Sequence, residues 1–75
     1  MDTFPARLKA SRECRGLTQV ALADAVGCHV GSITAYELGL RTPRPARGIV
    51  IALALHVDPL WLREGVHSRE VESAR

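Results

Sequence analysis

The sequence is short of most features that would place a protein in a class at sight. It has only two cysteines, Cys14 and Cys28, too few for a disulfide scaffold and too few for a four-ligand zinc site. Both read as small hydrophobes to be buried, Cys14 near the end of a first helix and Cys28 in the turn after a second. No metal and no cofactor is expected. The longest apolar run, Ile49 to Leu55, falls far short of the ~20 residues that span a bilayer. No apolar stretch follows Asp2 as it would in a secretory leader. A soluble, cytoplasmic protein with no membrane partner is the expectation. There is no internal repeat and no low-complexity segment. The formal net charge is only +2, too weak a bias to indicate nucleic acid by itself.

What is present is unevenly spread. Residues 1–47 carry Arg7, Lys9, Arg12, Arg15, Arg41, Arg44 and Arg47 against Asp2, Glu13, Asp24 and Glu37, a net +3; residues 48–75 carry a net −1. Nine of the ten basic residues are arginine, whose planar fork pairs with phosphate better than a lysine ammonium does. A chain of 75 residues is one domain. A domain this small buries only ~60% of its unfolded surface, so association is the expected source of further stability.

Caps and breakers divide the chain into five short helices. Thr3 caps a helix with Pro5 in its first turn, and Gly16 closes it. Phe4, Leu8 and Arg12 share one face of this helix. Leu17 anchors the entry to a second helix capped by Thr18, with Leu22, Ala23 and Val26 on its buried side. Gly27 ends it at positive φ. His29 stands at the cap of a third helix, Val30 to Leu38, with Ile33 and Tyr36 inward and Gly39 as its stop. After the arginine- and proline-rich loop LRTPRPAR, Pro45 opens a fourth helix running to Leu55. Asp58 and Pro59 then begin a fifth, which ends at Gly65. Residues 1–65 form the domain, and Val66 to Arg75 a polar C-terminal tail.

The run TQVALADAVGCHVGSITAYELG, Thr18 to Gly39, is therefore helix, tight turn, helix and closing glycine. That arrangement lets one short helix enter the major groove of DNA. The wider pattern resembles the lambdoid phage repressor/Cro family, also termed XRE-type, and most of all its Cro-like members. The resemblance rests on Arg12, Leu17-Thr18-Gln19, Leu22-Ala23, Gly27, Ile33, Glu37 with Gly39, Pro43, Ala52, Leu55, Asp58-Pro59-Leu60-Trp61-Leu62 and Gly65, and it covers about Phe4 to Gly65. It implies an all-α, five-helix lambda-repressor-like domain with the helix-turn-helix at helices 2 and 3.

The resemblance also implies roles. Gln19 matches a glutamine that contacts the DNA backbone and steadies the recognition helix. Val30, Gly31, Thr34 and Ala35 match its outward positions, where Gln, Arg, Ser or Asn often make bidentate bonds to bases. This chain departs from that pattern with small and apolar groups that suit thymine methyls. Ser32 and Thr34 can add one hydrogen bond each, and His29 either a DNA contact or a cap. Modest readout per base shifts weight to DNA shape and to Arg41, Arg44 and Arg47 on phosphates. Arg12 and Glu37 match a salt bridge joining helix 1 to the end of helix 3. The same pattern points Ile51, Ala52 and Leu55 inward. It leaves Ile49, Val50 and Leu53 partly exposed, and a homodimer seam is expected at Val50, Leu53 and Leu60. The expected partners are a double-stranded operator and a second copy, with no small-molecule ligand.

Two other classes bear comparison. An antitoxin uses the same scaffold but needs a toxin-binding surface, for which only Val66 to Arg75 is available. An enzyme would need Cys14, Cys28 and His29 as its nucleophile and base. Cys28 and His29 are neighbours in a turn and diverge, with no third group to orient them, so no catalytic residue is assigned.

Overall fold

The computed structural model describes residues 3–66, and within them five helices account for all the regular structure. They are α1 (Phe4–Cys14), α2 (Gln19–Val26), α3 (Val30–Glu37), α4 (Pro45–Leu55) and α5 (Pro59–Glu64). Three of the N-termini are satisfied as the sequence predicts. Thr3 Oγ1 accepts from the Ala6 N–H (3.3 Å), Thr18 Oγ1 from Ala21 (3.0 Å) and Asp58 Oδ2 from Trp61 (2.8 Å). Each uses a side-chain oxygen to replace the carbonyl that a first-turn amide lacks. The expected cap at His29 holds in backbone conformation only, because its imidazole makes no cap bond. Helix α3 ends at Glu37, one residue before the predicted Leu38, which serves as its C-cap. Apart from Val66, the predicted tail lies outside the described residues.

One core holds the helices together. Leu8 of α1, Leu22 and Ala23 of α2, Ile33 and Tyr36 of α3, Ile51, Ala52 and Leu55 of α4 and Leu62 of α5 are all buried. Ala23, 2% exposed, brings the backbone of α2 close to this core. Gly27, at φ 84°, turns the chain at the end of α2 in a conformation that costs a side-chain-bearing residue strain. Phe4, Leu17, Val26, Cys28 and Trp61 pack around the edge of this core.

The structure corrects two expectations. Cys14 is exposed rather than buried, and Cys28 is only half-buried. The buried face of α1 is Arg7, Leu8, Ser11 and Arg12, and Cys14 lies two residues beyond Arg12, about 200° around the helix from it. Arg7, counted above with the cations of the DNA-reading half, is 5% exposed. Its Nε donates to the Leu62 carbonyl and its Nη2 to that of Arg63, both at 3.0 Å. A cation thus closes the carbonyl end of α5, where the helix dipole favours positive charge. Arg7 and Arg12 therefore belong to the interior, and the surface charge bias is smaller than the sequence count implied.

The end of α4 is less well matched to its residue. His56 is the one described non-glycine residue with positive φ (φ 59°, ψ 41°). Its imidazole is exposed and lies 3.5 Å from Arg15 Nη2. Left-handed backbone costs an ordinary residue roughly 1–2 kcal/mol, while a glycine there gives back part of that gain through its freer unfolded chain. His56→Gly should therefore stabilise the fold by roughly 0.5–1 kcal/mol, read as a rise in the urea midpoint at constant slope. A fall in the midpoint would assign His56 a stabilising contact that outweighs its backbone.

Candidate nucleic-acid interface

The turn between α2 and α3 is built from backbone geometry. Gly27 and Cys28 both donate to the Ala23 carbonyl, at 2.8 and 3.0 Å. That closes α2 and releases the chain to start α3 at Val30. Ile33 and Tyr36 then fix the inner side of α3 in the core. The outer side carries His29, Val30 and Gly31, all exposed, with Ser32, Thr34 and Ala35 half-buried. A Cβ built at Gly31 would meet nothing within 4 Å, so this glycine leaves the helix surface open without any packing need.

Beneath the helix pair runs a polar network that joins three helices. Arg12 Nε donates to Glu37 Oε2 at 2.6 Å and Nη2 to Oε1 at 3.1 Å, while Nη1 holds the Leu17 carbonyl at 2.8 Å. The Glu37 side chain is only 4% exposed. The hydrogen bond and charge of Glu37 raise the Arg12 pKa above its ordinary value, against a lowering by burial. Gln19 extends the network outward: its Nε2 donates to Glu37 Oε1 at 3.0 Å, and its Oε1 accepts from the Thr34 hydroxyl at 2.8 Å. Thr34 Oγ1 also lies 3.1 Å from the Val30 carbonyl. The resemblance implies both the Arg12–Glu37 pair and a Gln19 that steadies the recognition helix, but it does not name Thr34 as the residue that Gln19 holds. Gln19 and Thr34 are fifteen residues apart, and no local signal connects them.

The loop arginines Arg41, Arg44 and Arg47 line one open groove of about 580 Å³ together with Val26, Tyr36 and Val50. The Arg41 guanidinium stands 5.8 Å from the centre of the Tyr36 ring, a cation–π contact that holds one charge in place. Arg41 and Arg44 are exposed and Arg47 half-buried. The predicted seam residues are divided. Val50 lines the arginine groove. Leu60 lies with Ile49 along a smaller cleft between α4 and α5. Leu53, 64% exposed, is one turn after Ile49 on α4.

Among the described residues no cluster of three or more His, Cys, Asp or Glu side chains could hold a metal ion. No described helix is long and apolar enough to cross a membrane.

A family model described as helix-turn-helix matches residues 8–62, which take in the helix pair, the polar network and the arginine groove. The chain belongs to the helix-turn-helix family, in its Cro/C1-like branch. That family comprises DNA-binding transcription regulators and is not an enzyme class. A curated relative, the HTH-type transcriptional regulator PrtR of Pseudomonas aeruginosa (strain PAO1), is 38% identical over 74 residues. The match takes in 97% of this chain but only 28% of PrtR. Among solved structures, the P22 c2 repressor in complex with synthetic operator 9T superposes with a TM-score of 0.83 at 24% identity, covering 88% of this chain and all of that one. The solution structure of the P22 c2 repressor DNA-binding domain gives 0.80 at 25% identity, covering 89% and 88%. The five helices are thus a lambda-repressor-like DNA-binding domain.

Proposed function

We propose that this chain regulates transcription in the cytoplasm as a homodimeric repressor that reads a palindromic operator through α3. The observation that carries the reading is the outward side of α3, presented on a hydrogen-bonded turn beside a groove lined by three arginines. Val30, Gly31 and Ala35 offer no bidentate partner for a base edge, but small apolar groups fit against thymine methyls. His29 and Ser32 add single polar contacts. Arg41, Arg44 and Arg47 hold phosphates and fix the register, and Gln19 adds a neutral contact to the backbone. With few direct base bonds, groove shape and deformability supply part of the discrimination.

Ile49, Leu53 and Leu60 are exposed on α4 and α5, and they supply an apolar seam for a two-fold partner, with Val50 at its edge. A two-fold dimer of this motif reads half-sites about one helical turn, ~34–36 Å, apart. The test is selection of bound duplexes from a random pool, followed by footprinting. The expected product is a two-fold symmetric site with thymines at the positions facing α3. No enrichment would overturn DNA reading altogether. A single asymmetric half-site, bound by a monomer, would overturn the dimer.

A further inference from the structure

We infer that Thr34 is a positioning residue that acts on DNA through Gln19 rather than a reader of bases. The inference rests on the DNA-binding reading above and deepens it. A hydroxyl has one proton to donate. The acceptors nearest Thr34 Oγ1, the Gln19 Oε1 at 2.8 Å and the Val30 carbonyl at 3.1 Å, are both in the protein. That proton is taken in the free protein, so Thr34 has none left for the acceptor atoms of a base and could meet only the amino group of an adenine or cytosine, as an acceptor.

The hydrogen bond has its consequence one residue away. Glu37, ionised and paired with Arg12, only accepts, so the Gln19 NH2 must face it. The Gln19 Nε2 to Glu37 Oε1 bond, at 3.0 Å, uses one of the two amide protons. Thr34 occupies the opposite end of the same amide. Held at both ends, the amide plane is fixed and its second N–H is aimed in one direction. That N–H is the remaining donor for a DNA phosphate. Arg12, Glu37, Gln19 and Thr34 thus form a relay from the buried face of α1 to the half-buried edge of α3, with its output at Gln19. A donor oriented before binding loses less freedom on contact than one that must be ordered by it.

The experiment uses the duplex selected by the wild-type chain, with Thr34→Val, Thr34→Ser, Gln19→Ala and the Thr34→Val/Gln19→Ala double variant. Thr34→Val should weaken binding about tenfold, the order expected from hydrogen-bond deletions in the two chains of a dimer. The loss should be uniform across operator variants, with the selected sequence unchanged. Thr34→Ser should restore the affinity, because it keeps the hydroxyl. The double variant should bind no more weakly than Gln19→Ala alone, because the valine then has nothing left to disturb. Thermal melts on the same samples separate these effects from loss of folded protein, and Thr34→Ala serves as a second variant. A Thr34→Val protein with a changed preference at one base position would overturn the inference and make Thr34 a reader. Unchanged affinity, or losses that add in the double variant, would also overturn it. Wild-type protein that selects no duplex would overturn the DNA-binding reading itself, a different outcome from a wild type that binds and a Thr34→Val variant that matches it.

Discussion

Glu37→Ala should lower the unfolding free energy by about 3–5 kcal/mol, the usual cost of removing one partner from a buried ion pair. The carboxylate accepts from Arg12 Nε, Arg12 Nη2 and Gln19 Nε2. Its removal leaves the buried Arg12 guanidinium with the Leu17 carbonyl as its remaining partner. A domain of this size has a total stability of roughly 4–11 kcal/mol at the usual yield per residue, so the loss removes a large share of it and the variant should melt well below the wild type. Replacing both partners by apolar residues, Arg12→Met with Glu37→Leu, should recover a substantial part of the loss, because no unpaired charge then remains. Urea unfolding followed by circular dichroism reads both. A loss below about 1 kcal/mol for Glu37→Ala would mean that the pair behaves like an exposed one.

The pH dependence has a definite sign on the arginine side. Glu37 raises the Arg12 pKa above its ordinary value. A raised folded-state value contributes stability in full below the unfolded value and loses it only as pH climbs through the folded one. For an arginine that window lies at extreme alkali. The cationic partner therefore keeps its charge throughout the working range.

Much of the fold is legible in the residues because its boundaries are set by local chemistry. Thr3, Thr18 and Asp58 cap, Pro5, Pro45 and Pro59 sit in first turns, and Gly27 and Gly65 stop helices in left-handed conformation. These effects act over three or four residues, and sequence shows them directly. The helix-turn-helix is legible for the same reason. Long-range partners are not. Arg7 is an ordinary surface cation by its neighbours, yet carbonyls fifty-five and fifty-six residues away make it an interior one. Cys14 looks like a core residue by type, but its angular position on α1 turns it outward. The link from Thr34 to Gln19 depends on how α3 packs on α2 across fifteen residues of chain, which no local run of residues specifies. The arginines of the loop are conspicuous in sequence, whereas their place along one groove with Tyr36 is a product of the fold.

Neutralising that groove should give the largest effect on binding. Each phosphate paired with a cation releases condensed counterions, and log K falls with log salt at about −0.9 per contact on duplex DNA. Three arginines in each chain of a dimer correspond to a slope near −5, so wild-type affinity should fall about 10³-fold between 50 and 200 mM salt. The triple variant Arg41→Ala, Arg44→Ala, Arg47→Ala should lose most of that slope and bind weakly at both concentrations. Its fold should survive, because Arg41 and Arg44 are exposed and Arg47 is only half-buried. Gln19→Ala is the matching control, since a neutral amide releases no counterions: it should weaken binding at every salt concentration and leave the slope unchanged. The two variants therefore separate the charge that draws the domain to DNA from the neutral contact that orients it. A triple variant that keeps the wild-type slope would place the phosphate contacts elsewhere on the domain.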